Sequence, residues 1–308
     1  MLFPFGFDGQ IRQHESLARH SSFKIGGETL YFAEPLTQED LVSHLEFVDR
    51  EDMPCLLIGN ASNILFADED FEGLVIALNK FELNRLHLED QYVTVSAGMG
   101  LIWLAHILAD HSLGGMEFMS TIPGTVGGAL VMNAGVSPYA GKLHQMADWV
   151  VEIKTLGRDG FVKTLKREDI AFQYRSSNLE GQVILEATFK LEFCPCEDTK
   201  RELRANLQYR ESVQELRYPS AGSIFKNPKG VEMTAGKLID LVGLRGLRIG
   251  GAQISEKHGN FIVNLGNAKA GEVLELIAVA KEKVKEKFGV DLELEVKYIS
   301  GEMMPLSI

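Results

Sequence analysis

The amino-acid sequence predicts an α+β fold in two or three domains. Its 308 residues are more than one small hydrophobic core needs. Runs of β-branched and aromatic residues typical of strands are interspersed with amphipathic segments typical of helices. The composition changes around residues 194–200, where strand-like segments give way to a charged helix, so we predict a domain boundary there. A hydrophobic content of 45%, including 17 phenylalanines, indicates well-packed cores.

The first part of the chain is predicted to contain two helices and three strands. A helix is expected from Thr37 to about Arg50, because Thr37 is a helix-start residue and acidic residues follow it. Apolar residues then recur on one face of this segment, at Leu41, Leu45 and Val48. The other predicted elements are strands at 55–58, 74–78 and 92–98 and an amphipathic helix at 100–111.

The second part begins with a predicted β-hairpin. The segment WVVEIKTLGRDGFVKTL (149–165) has two strand-like halves joined by a turn near Asp159 and Gly160. The elements predicted after it are a strand at 182–193, a charged helix at about 199–217, helices from Thr234 to Val242 and from Ala270 to Phe288, and a closing strand at 292–299.

The chain is acidic, and its charge limits its partners. Lys and Arg total 31 against 43 Asp and Glu, which gives a formal net charge of −12. Such a surface repels nucleic acids and anionic membranes, so an anionic ligand must be held by local donors. No apolar run has the length of a membrane span, and the start lacks the features of a signal peptide. We therefore predict a cytoplasmic protein.

The three cysteines give no sign of a cross-linked or metal-binding protein. Cys55, Cys194 and Cys196 are odd in number, and the last two form a C-x-C pair. This pattern fits neither a disulfide framework nor a four-ligand zinc site. We predict free thiols and no metal site.

The segment STIPGTVGGALVMNAG (120–135) is rich in glycine and has no charged side chain. It matches neither the P-loop pattern nor the G-x-G-x-x-G of a Rossmann turn. Glycine lets a ligand approach main-chain N–H groups closely. A nest of N–H groups at turns and at the start of 127–133 would suit a pyrophosphate in an acidic protein, and this is the predicted role of the segment.

Seven segments, in order, carry a more specific signal. They are SSFKIGG, IGNASNIL, IPGTVGGALVMNAG, FQYRSSN, YPSAGSIFKNP, GGAQISEKHGNFIVN and LELEVK. Together they resemble the UDP-N-acetylenolpyruvoylglucosamine reductase family over about residues 16–300. The compact spacing is similar to the shorter of the two forms of that family.

The resemblance implies a fold and a reaction. It implies a two-lobed FAD-binding module of the vanillyl-alcohol-oxidase/PCMH type and a C-terminal α/β domain for the UDP-sugar. The implied limits are 1–80 for lobe 1, 81–198 for lobe 2 and 199–308 for the third domain, with the strand in 291–308 returning near lobe 1. Non-covalent FAD and NADPH would reduce the enolpyruvyl group of UDP-N-acetylglucosamine enolpyruvate to UDP-N-acetylmuramate for peptidoglycan. A monomer or weak dimer is expected.

The resemblance also implies roles for three catalytic residues. Ser223 corresponds to the proton donor, Arg175 to the arginine that pairs with the substrate carboxylate, and Glu295 to the glutamate that shares a proton with it. Each has an ordinary structural alternative, as a turn serine, a surface arginine and an edge glutamate. Period-2 alternation places Glu293 and Glu295 on one face of a strand, so only the resemblance distinguishes them.

Binding residues follow from the same resemblance. The implied cofactor-binding residues are Gly59, Asn60, Ala61, Ser62, Asn63, Pro123, Gly124, Thr125, Gly127, Gly128 and Asn133. The implied substrate-binding residues are Tyr174, Arg210, Asn227, Arg245 and His258. His258 is equally compatible with a structural role, and Tyr174 with simple packing.

Three positions depart from the family pattern, and two other functions stay open. Ala61 and Thr121 stand where glycine is usual, and Gln214-Glu215 replaces a common Gln-Pro. The first alternative function is an FAD-dependent alcohol or sugar oxidase of the same cofactor fold. The second is a nucleotide-sugar-binding regulator without catalysis, against which the presence of Ser223, Arg175 and Glu295 argues.

Overall fold

The structure is a computed structural model that describes residues 11–82, 85–136, 143–157 and 160–301. Its α-helices in chain order are α1 (Leu17–His20), α2 (Gln38–Glu51), α3 (Leu101–Asp110), α4 (Val126–Val131), α5 (Cys196–Val213), α6 (Ala235–Leu241) and α7 (Ala270–Phe288). Short 3-10 helices lie at Glu117–Thr121, Met146–Asp148 and Arg167–Asp169.

The strands are mostly short. The first ten are β1 (Ile11–Ser16), β2 (Glu28–Ala33), β3 (Cys55–Ile58), β4 (Ile64–Phe66), β5 (Phe71–Ala77), β6 (Leu86–Glu89), β7 (Tyr92–Ser96), β8 (Leu113–Gly114), β9 (Gly135–Val136) and β10 (His144–Gln145). The others are β11 (Val150–Leu156), β12 (Val162–Lys166), β13 (Phe172–Gln173), β14 (Ser176–Ser177), β15 (Val183–Lys190), β16 (Glu192–Phe193), β17 (Arg248–Ile249), β18 (Ala252–Ile254), β19 (Ile262–Asn264) and β20 (Lys297–Ile299).

The first lobe is a four-stranded sheet with the order β1-β2-β5-β3. Strands β2, β5 and β3 run parallel, and β1 is an antiparallel edge. Helix α2 begins after Thr37, whose side chain accepts a hydrogen bond from the N–H of Asp40 in a capping box. Its buried Leu41 and Phe47 pack into the core of this lobe. The predicted helix and the strand at 55–58 are confirmed.

The second lobe is an antiparallel sheet with the order β12-β11-β15-β7-β6. The predicted hairpin is present as the pair of β11 and β12, although Asp159 of its turn lies outside the described residues. Helix α3 runs from Leu101 to Asp110, as predicted, and packs on this core. Helix α5 belongs to the same core through Leu203, although the sequence assigned residues from 199 onward to the third domain. The packing favours a boundary after α5.

The C-terminal part surrounds its own core. The antiparallel sheet β17-β18-β19 packs against α7, and α6 packs on α7. Buried Leu238, Val273 and Leu276 lie in this core together with Phe225. Helices α6 and α7 match the predicted ranges closely, because each begins and ends at clear local signals.

Several contacts join the first lobe to the C-terminal part, and Phe23, Ile25 and Leu65 of the first lobe pack in the C-terminal core. Strand β20 pairs in parallel with β4. The carboxylate of Asp68 accepts hydrogen bonds from the first N–H groups of α7, on Ala270 (2.9 Å) and Gly271 (3.0 Å). Asn264 donates through Nδ2 to the carbonyl oxygen of Phe23 at 3.1 Å. The two parts of the chain are therefore held together at separate points.

Two predicted elements differ from the structure. The charged helix ends at Val213 rather than near residue 217. The closing strand is confined to β20, since residues 292–296 make only one isolated bridge, between Leu294 and Phe225. Among the described residues, no helix is both long and apolar enough to cross a membrane.

Candidate active site

The segment that contains Ser223 lies between two other chain segments. On one side, Ser223 forms an antiparallel bridge with Phe261, and the N–H of Ile224 donates to the carbonyl oxygen of Asn260 at 2.9 Å. On the other side, the N–H of Glu295 donates to the carbonyl oxygen of Ile224 at 2.8 Å. These hydrogen bonds place Glu295 beside the residue that follows Ser223, although the two are far apart in the chain.

Ser223 itself is half-buried and follows a turn. Gly222 has a φ of +73°, a conformation that glycine adopts without strain. Within the described part of the chain, no group hydrogen-bonds the Ser223 hydroxyl. The hydroxyl is therefore available to a ligand.

Arg175 is at the tip of a tight hairpin. Strands β13 and β14 pair so that Gln173 faces Ser176, which leaves Tyr174 and Arg175 as a two-residue loop. Arg175 has a φ of +56°, in the left-handed region that residues with a Cβ adopt at a cost of about 1–2 kcal/mol. Its guanidinium carbon lies 5.1 Å from the centre of the Tyr174 ring. The loop and the ring together fix the direction of the guanidinium.

Arg175 and Glu295 form a partly buried ion pair. Nε of Arg175 is 3.0 Å from Oε1 of Glu295, and each side chain is only 16% exposed. The Nε–H is not aligned with the carboxylate, so among the described residues this buried nitrogen has no hydrogen-bond partner. Burial raises the pKa of Glu295, and the positive charge of Arg175 opposes that increase. The site therefore combines a cation that retains donors with a carboxyl group that binds a proton more readily than usual.

A local irregularity separates Glu295 from Glu293. The N–H groups of Glu295 and Val296 both point to the carbonyl oxygen of Ile224, at 2.8 and 3.4 Å, so two residues oppose one as in a β-bulge. The Glu293 side chain is 72% exposed and pairs with Lys226. The two glutamates therefore differ in exposure, although the charge of Lys226 acts on both carboxylates.

A cavity of about 440 Å³ is lined by residues adjacent in the chain to Arg175, although neither Arg175 nor Glu295 lines it. One wall comes from the hairpin, through Gln173, Tyr174 and Ser176, and the opposite wall from residues 226–229 and 289–293. The predicted substrate residues Tyr174 and Asn227 both line it. Asn227 also accepts a hydrogen bond from the N–H of Ala235 through Oδ1, at 3.0 Å, so part of its amide is already used by the protein.

His258 has several contacts within the protein. Its Nδ1 accepts a hydrogen bond from the N–H of Asn260 at 3.2 Å, and its ring packs edge-on against Phe261. Burial lowers the pKa of His258, and the charge of Arg245 lowers it further. A neutral ring with Nδ1 as acceptor carries its proton on Nε2, which leaves Nε2–H as a donor. Both the structural and the binding role are compatible with these contacts.

The remaining two basic residues lie near this histidine. Nε of Arg245 is 2.8 Å from Oδ1 of Asp240. Nε of Arg210 donates to Oε1 of Gln214 at 2.9 Å, and burial lowers the pKa of its guanidinium. Lys257, next to His258, bonds the carbonyl oxygen of Glu211 and so connects the end of α5 to the His258 segment. Arg210, Arg245 and His258 therefore approach one another from three segments.

The two predicted cofactor loops are in direct contact. Nδ2 of Asn60 donates to the carbonyl oxygen of Pro123 at 3.1 Å. A Cβ on Gly59 would lie only 2.3 Å from Oγ1 of Thr125, so only glycine allows this approach. Ser62 faces Gly124 across the same gap. Asn63 extends the arrangement toward Glu295, since its Nδ2 donates to the carbonyl oxygen of Glu295 at 3.0 Å.

The free donors lie before helix α4 rather than at its start. The N–H groups of Val126 and Gly127 donate to the carbonyl oxygens of Met99 and Ala97, each at 2.9 Å. That of Gly128 donates to Oγ1 of Thr125 at 3.4 Å. The predicted nest at residues 127–133 is therefore wrong, because neighbouring chain already satisfies these groups. Within the described ranges, Ser62, Gly124 and Thr125 keep N–H groups without an internal acceptor.

Asn133 has a structural role in addition to any contact with a cofactor. It is 1% exposed, and its Nδ2 donates to Oε1 of Gln145 and to the carbonyl oxygen of Gln173. Its Oδ1 accepts from the N–H of Ala147 at 3.0 Å. Asn133 therefore connects the glycine-rich segment to strand β13, which leads to the Arg175 loop.

The three residues that depart from the family pattern have local structural explanations or contacts. Ala61 is buried with a φ of +42°, which explains why glycine suits this position. The Thr121 hydroxyl donates to the carbonyl oxygen of Phe118 at 2.9 Å. Glu215 pairs with Arg217 at 3.1 Å. None of these contacts involves Ser223, Arg175 or Glu295.

The cysteines lie outside this site. Cys55, Cys194 and Cys196 are all free. Burial raises the pKa of the Cys55 thiol to about 12, so this thiol is chemically inert. In the ranges that the structure describes, no group of three or more His, Cys, Asp or Glu side chains could hold a metal ion.

Comparison with known proteins identifies the two parts of the chain. The model of an FAD-binding domain matches residues 29–166, and that of the C-terminal domain of UDP-N-acetylenolpyruvoylglucosamine reductase matches residues 214–299. The glycine-only contact at Gly59 and the free N–H groups beside it fit a dinucleotide cofactor. The chain is thus an FAD-dependent oxidoreductase with a separate C-terminal domain.

Similar proteins specify the family. The chain is 41% identical to the UDP-N-acetylenolpyruvoylglucosamine reductase of Chloroherpeton thalassium, with 95% of this chain and 94% of the relative covered. It is 38% identical to that of Bacillus subtilis, with 95% of each covered. The crystal structure of the Thermus caldophilus enzyme matches with a TM-score of 0.76 and 35% identity, over 94% of this chain and 98% of that one.

The chain belongs to the UDP-N-acetylenolpyruvoylglucosamine reductase family. This confirms the resemblance, the α+β fold with an FAD-binding module and the assignment to peptidoglycan synthesis. It also supports the reductase over the oxidase alternative. The domain limits and the roles of individual residues remain predictions.

Proposed function

We propose that this chain uses NADPH to reduce the enolpyruvyl group of UDP-N-acetylglucosamine enolpyruvate, with Ser223, Arg175 and Glu295 as its catalytic residues. The observation that carries the proposal is the meeting of three separate segments: Arg175 pairs with Glu295, and the N–H of Glu295 donates to the carbonyl oxygen of the residue after Ser223. We also propose that the protein is cytoplasmic, as the sequence predicts.

Arg175 would bind the substrate carboxylate and stabilise the charge that develops on it. Bound FAD would provide the hydride for the methylene carbon of the enol ether, with NADPH as the source of that hydride. The electron pair of the double bond then moves toward the carboxylate and gives an enolate-like dianion. A guanidinium that keeps unpaired N–H donors in a partly buried site interacts more strongly with this dianion than with the substrate.

Ser223 would deliver the proton that completes the reaction. The carbon next to the carboxylate takes the hydroxyl proton, and the resulting alkoxide regains a proton from solvent. A serine hydroxyl is a very weak acid, but a carbon-centred enolate is a strong base, so the transfer proceeds once water is excluded. The hydroxyl has no internal hydrogen bond among the described residues to compete with this step.

Glu295 would act on the carboxylate rather than on the carbon. Because burial raises its pKa, Glu295 is more often protonated than an exposed glutamate. In that form it can donate a hydrogen bond to a substrate carboxylate oxygen on the side opposite Arg175. The proton is then shared as negative charge develops on that oxygen.

The nucleotide-sugar would lie along the cavity and toward the basic residues. Tyr174 and Asn227 line the cavity. Arg210 and Arg245 offer positive charge for the diphosphate, and His258 offers its Nε2–H. In an acidic protein these local cations provide the attraction that the overall charge does not.

The proposal is tested by measuring the two half-reactions of Ser223→Ala separately. Reduction of FAD by NADPH, followed by flavin absorbance, should stay near the normal rate because Ser223 takes no part in it. Reoxidation by the enolpyruvyl substrate should slow by roughly 10²- to 10⁴-fold, the range typical of a lost general acid.

Ser220→Ala is the matched control, since Ser220 is half-buried in the same loop. Its two half-reactions should both keep their normal rates. Equal slowing of both half-reactions in Ser223→Ala would identify Ser223 as a structural residue and contradict the proposal.

A further inference from the structure

We propose that Asn260 is a positioning residue that holds Ser223 in place and orients His258 at the same time. The inference rests on the proposed role of Ser223. The sequence analysis did not single out Asn260, and its role follows from the hydrogen bonds of its side chain.

The Asn260 side chain occupies the place of a missing strand partner. Its Oδ1 accepts a hydrogen bond from the N–H of Phe225 at 2.9 Å, and its Nδ2 donates to the carbonyl oxygen of Phe225 at 2.7 Å. A peptide group of a neighbouring strand would make the same pair of contacts. Asn260 is 4% exposed, so water cannot easily replace either bond.

The main chain of Asn260 adds two further constraints. Its carbonyl oxygen accepts from the N–H of Ile224 at 2.9 Å, so the two residues after Ser223 are both bonded to Asn260. Its N–H donates to Nδ1 of His258 at 3.2 Å. One residue therefore fixes the segment that presents the hydroxyl and the tautomer of the nearby imidazole.

The opposite edge of the Ser223 segment cannot supply this constraint alone. There the carbonyl oxygen of Ile224 accepts from both Glu295 and Val296, at 2.8 and 3.4 Å, in the bulge described above. A bulge leaves register less well defined than a regular ladder. Without the Asn260 amide, the segment could shift against Glu295. A misplacement of about 1 Å at a reacting group can slow a reaction about 10²-fold.

Asn264 provides a matched control in the same region. It is 5% exposed, and its amide is also fully used: Nδ2 donates to the carbonyl oxygens of Phe23 and Lys24, and Oδ1 accepts from Gly266 and Ala268. Truncation of either asparagine removes similar buried hydrogen bonds. Only Asn260 is bonded to the residues that follow Ser223.

The experiment compares Asn260→Ala, Asn260→Asp, Asn264→Ala and Ser223→Ala as holoenzymes. Flavin reduction by NADPH, flavin reoxidation by substrate and the Kd of the UDP-sugar substrate are measured for each. Asn260→Asp keeps the acceptor for the Phe225 N–H and the side-chain volume, so it provides a second variant if alanine impairs folding.

The expected result separates catalysis from stability. The Asn260 variants should slow reoxidation about 10²-fold and keep reduction and substrate Kd within about 3-fold of normal, since the hydroxyl is misplaced but binding groups remain. Asn264→Ala should lose stability without a selective loss of reoxidation.

Several results would overturn the inference. Normal reoxidation in the Asn260 variants, equal slowing of both half-reactions, or the same selective slowing in Asn264→Ala would each do so. Loss of FAD in both Asn260 variants but not in Asn264→Ala would show that Asn260 acts on the fold as a whole. If Ser223→Ala keeps normal reoxidation, the proposed catalytic role of Ser223 is rejected, and the inference about Asn260 is rejected with it. If Ser223→Ala is slow and Asn260→Ala is normal, only this inference fails.

Discussion

Nε of Arg175 lies 3.0 Å from Oε1 of Glu295, yet the two groups do not share a hydrogen bond. The pair is held by charge and by the backbone on each side: a tight hairpin fixes the arginine, and a bulge against Ile224 fixes the glutamate. A guanidinium has five N–H donors, and in this pair even the Nε–H is unpaired among the described residues. An incoming carboxylate can therefore bind without first breaking an internal hydrogen bond.

Two replacements of Arg175 should separate the effect of its charge on catalysis from the effect of its backbone conformation on stability. Arg175→Ala and Arg175→Gly both remove the guanidinium, so both should slow flavin reoxidation by about 10²- to 10³-fold, as for the loss of one charge-stabilising donor. Flavin reduction by NADPH should not change. Stopped-flow absorbance measures both steps.

The two variants should differ in stability. Glycine adopts the φ of +56° at this position without strain. The free energy of unfolding of Arg175→Gly should therefore be about 1 kcal/mol higher than that of Arg175→Ala. If flavin reoxidation were slow in the less stable Arg175→Ala but normal in Arg175→Gly, the proposed role of Arg175 would be contradicted.

The raised pKa of Glu295 should make stability depend on pH in a defined direction. The folded protein binds the Glu295 proton more tightly than the unfolded chain does. Its contribution to stability is therefore complete below the ordinary glutamate pKa of about 4.3 and is lost as pH rises through the folded-state pKa. Glu295→Gln cannot titrate and should escape this loss.

Urea unfolding at pH 4 and pH 8 tests this expectation. The free energy of unfolding of Glu295→Gln relative to the unsubstituted protein should be higher at pH 8 than at pH 4. Glu293→Gln is the control, since its exposed carboxylate pairs with Lys226, which lowers the pKa of Glu293. A relative stability of Glu295→Gln that falls with pH would show that Arg175 dominates over burial.

Gly59→Ala should weaken FAD binding. Its new Cβ would lie 2.3 Å from Oγ1 of Thr125, so the two cofactor loops must separate, and Thr125 must leave its capping position on α4. We expect a Kd for FAD at least about 10-fold higher, which corresponds to about 1.4 kcal/mol. Fluorescence quenching of added FAD gives the Kd.

Gly271→Ala is the matched control for Gly59→Ala. The nearest atom outside its own chain neighbourhood is 3.8 Å from the new Cβ, and the residue lies in helix α7, away from the loops. FAD affinity should stay unchanged in this variant. An unchanged affinity in Gly59→Ala would mean that the contact between the two loops is not needed for the cofactor.

Asp68→Ala should destabilise the link between the first lobe and α7. It leaves the N–H groups of Ala270 and Gly271 without their acceptor, and a lost helix cap costs about 1–2 kcal/mol. Asp70→Ala, in the same loop, removes one hydrogen bond to the N–H of Glu28 and no helix cap. Chemical denaturation should show the larger loss for Asp68→Ala; equal losses would contradict its role as the cap.

Local signals predicted the helices well. Thr37 before α2, Thr234 before α6 and Gly289 after α7 are residues that begin or end helices by their own hydrogen bonds or backbone preference. These signals need no knowledge of the rest of the fold. For the same reason the limits of these three helices nearly coincide in the sequence analysis and in the structure, whereas α5 lies three to four residues earlier than predicted and α4 was not predicted.

Non-local contacts explain what the sequence did not predict. Strand β2 was missed: its first four residues alternate in burial but its last three are all buried, so it follows neither simple strand pattern throughout. The donors at residues 126–128 were misassigned because the carbonyl oxygens of Ala97 and Met99 arrive from a distant segment. The exposure of Glu293 and the burial of Glu295 differ because Glu295 packs beside Arg175 from a distant hairpin, which alternation alone cannot indicate.

Asn260 shows the same limit for the active site. It lies within a segment that carried the family resemblance, but its side chain contacts Phe225, 35 positions earlier in the chain. A motif indicates that a residue type recurs at a position. The partner that gives the residue its role is known only from the fold.

The pairing of β4 with β20 has a consequence for how the protein emerges from the ribosome. Asn63 and Glu295, which meet beside these strands, are 232 positions apart. At translation speeds of about 5–20 residues per second, roughly 10–50 seconds separate their synthesis. During that interval β4 has no partner, and a nascent chain with an unpaired edge is exposed to aggregation and to chaperones. Completion of the first lobe therefore depends on a segment translated more than 200 residues after β4.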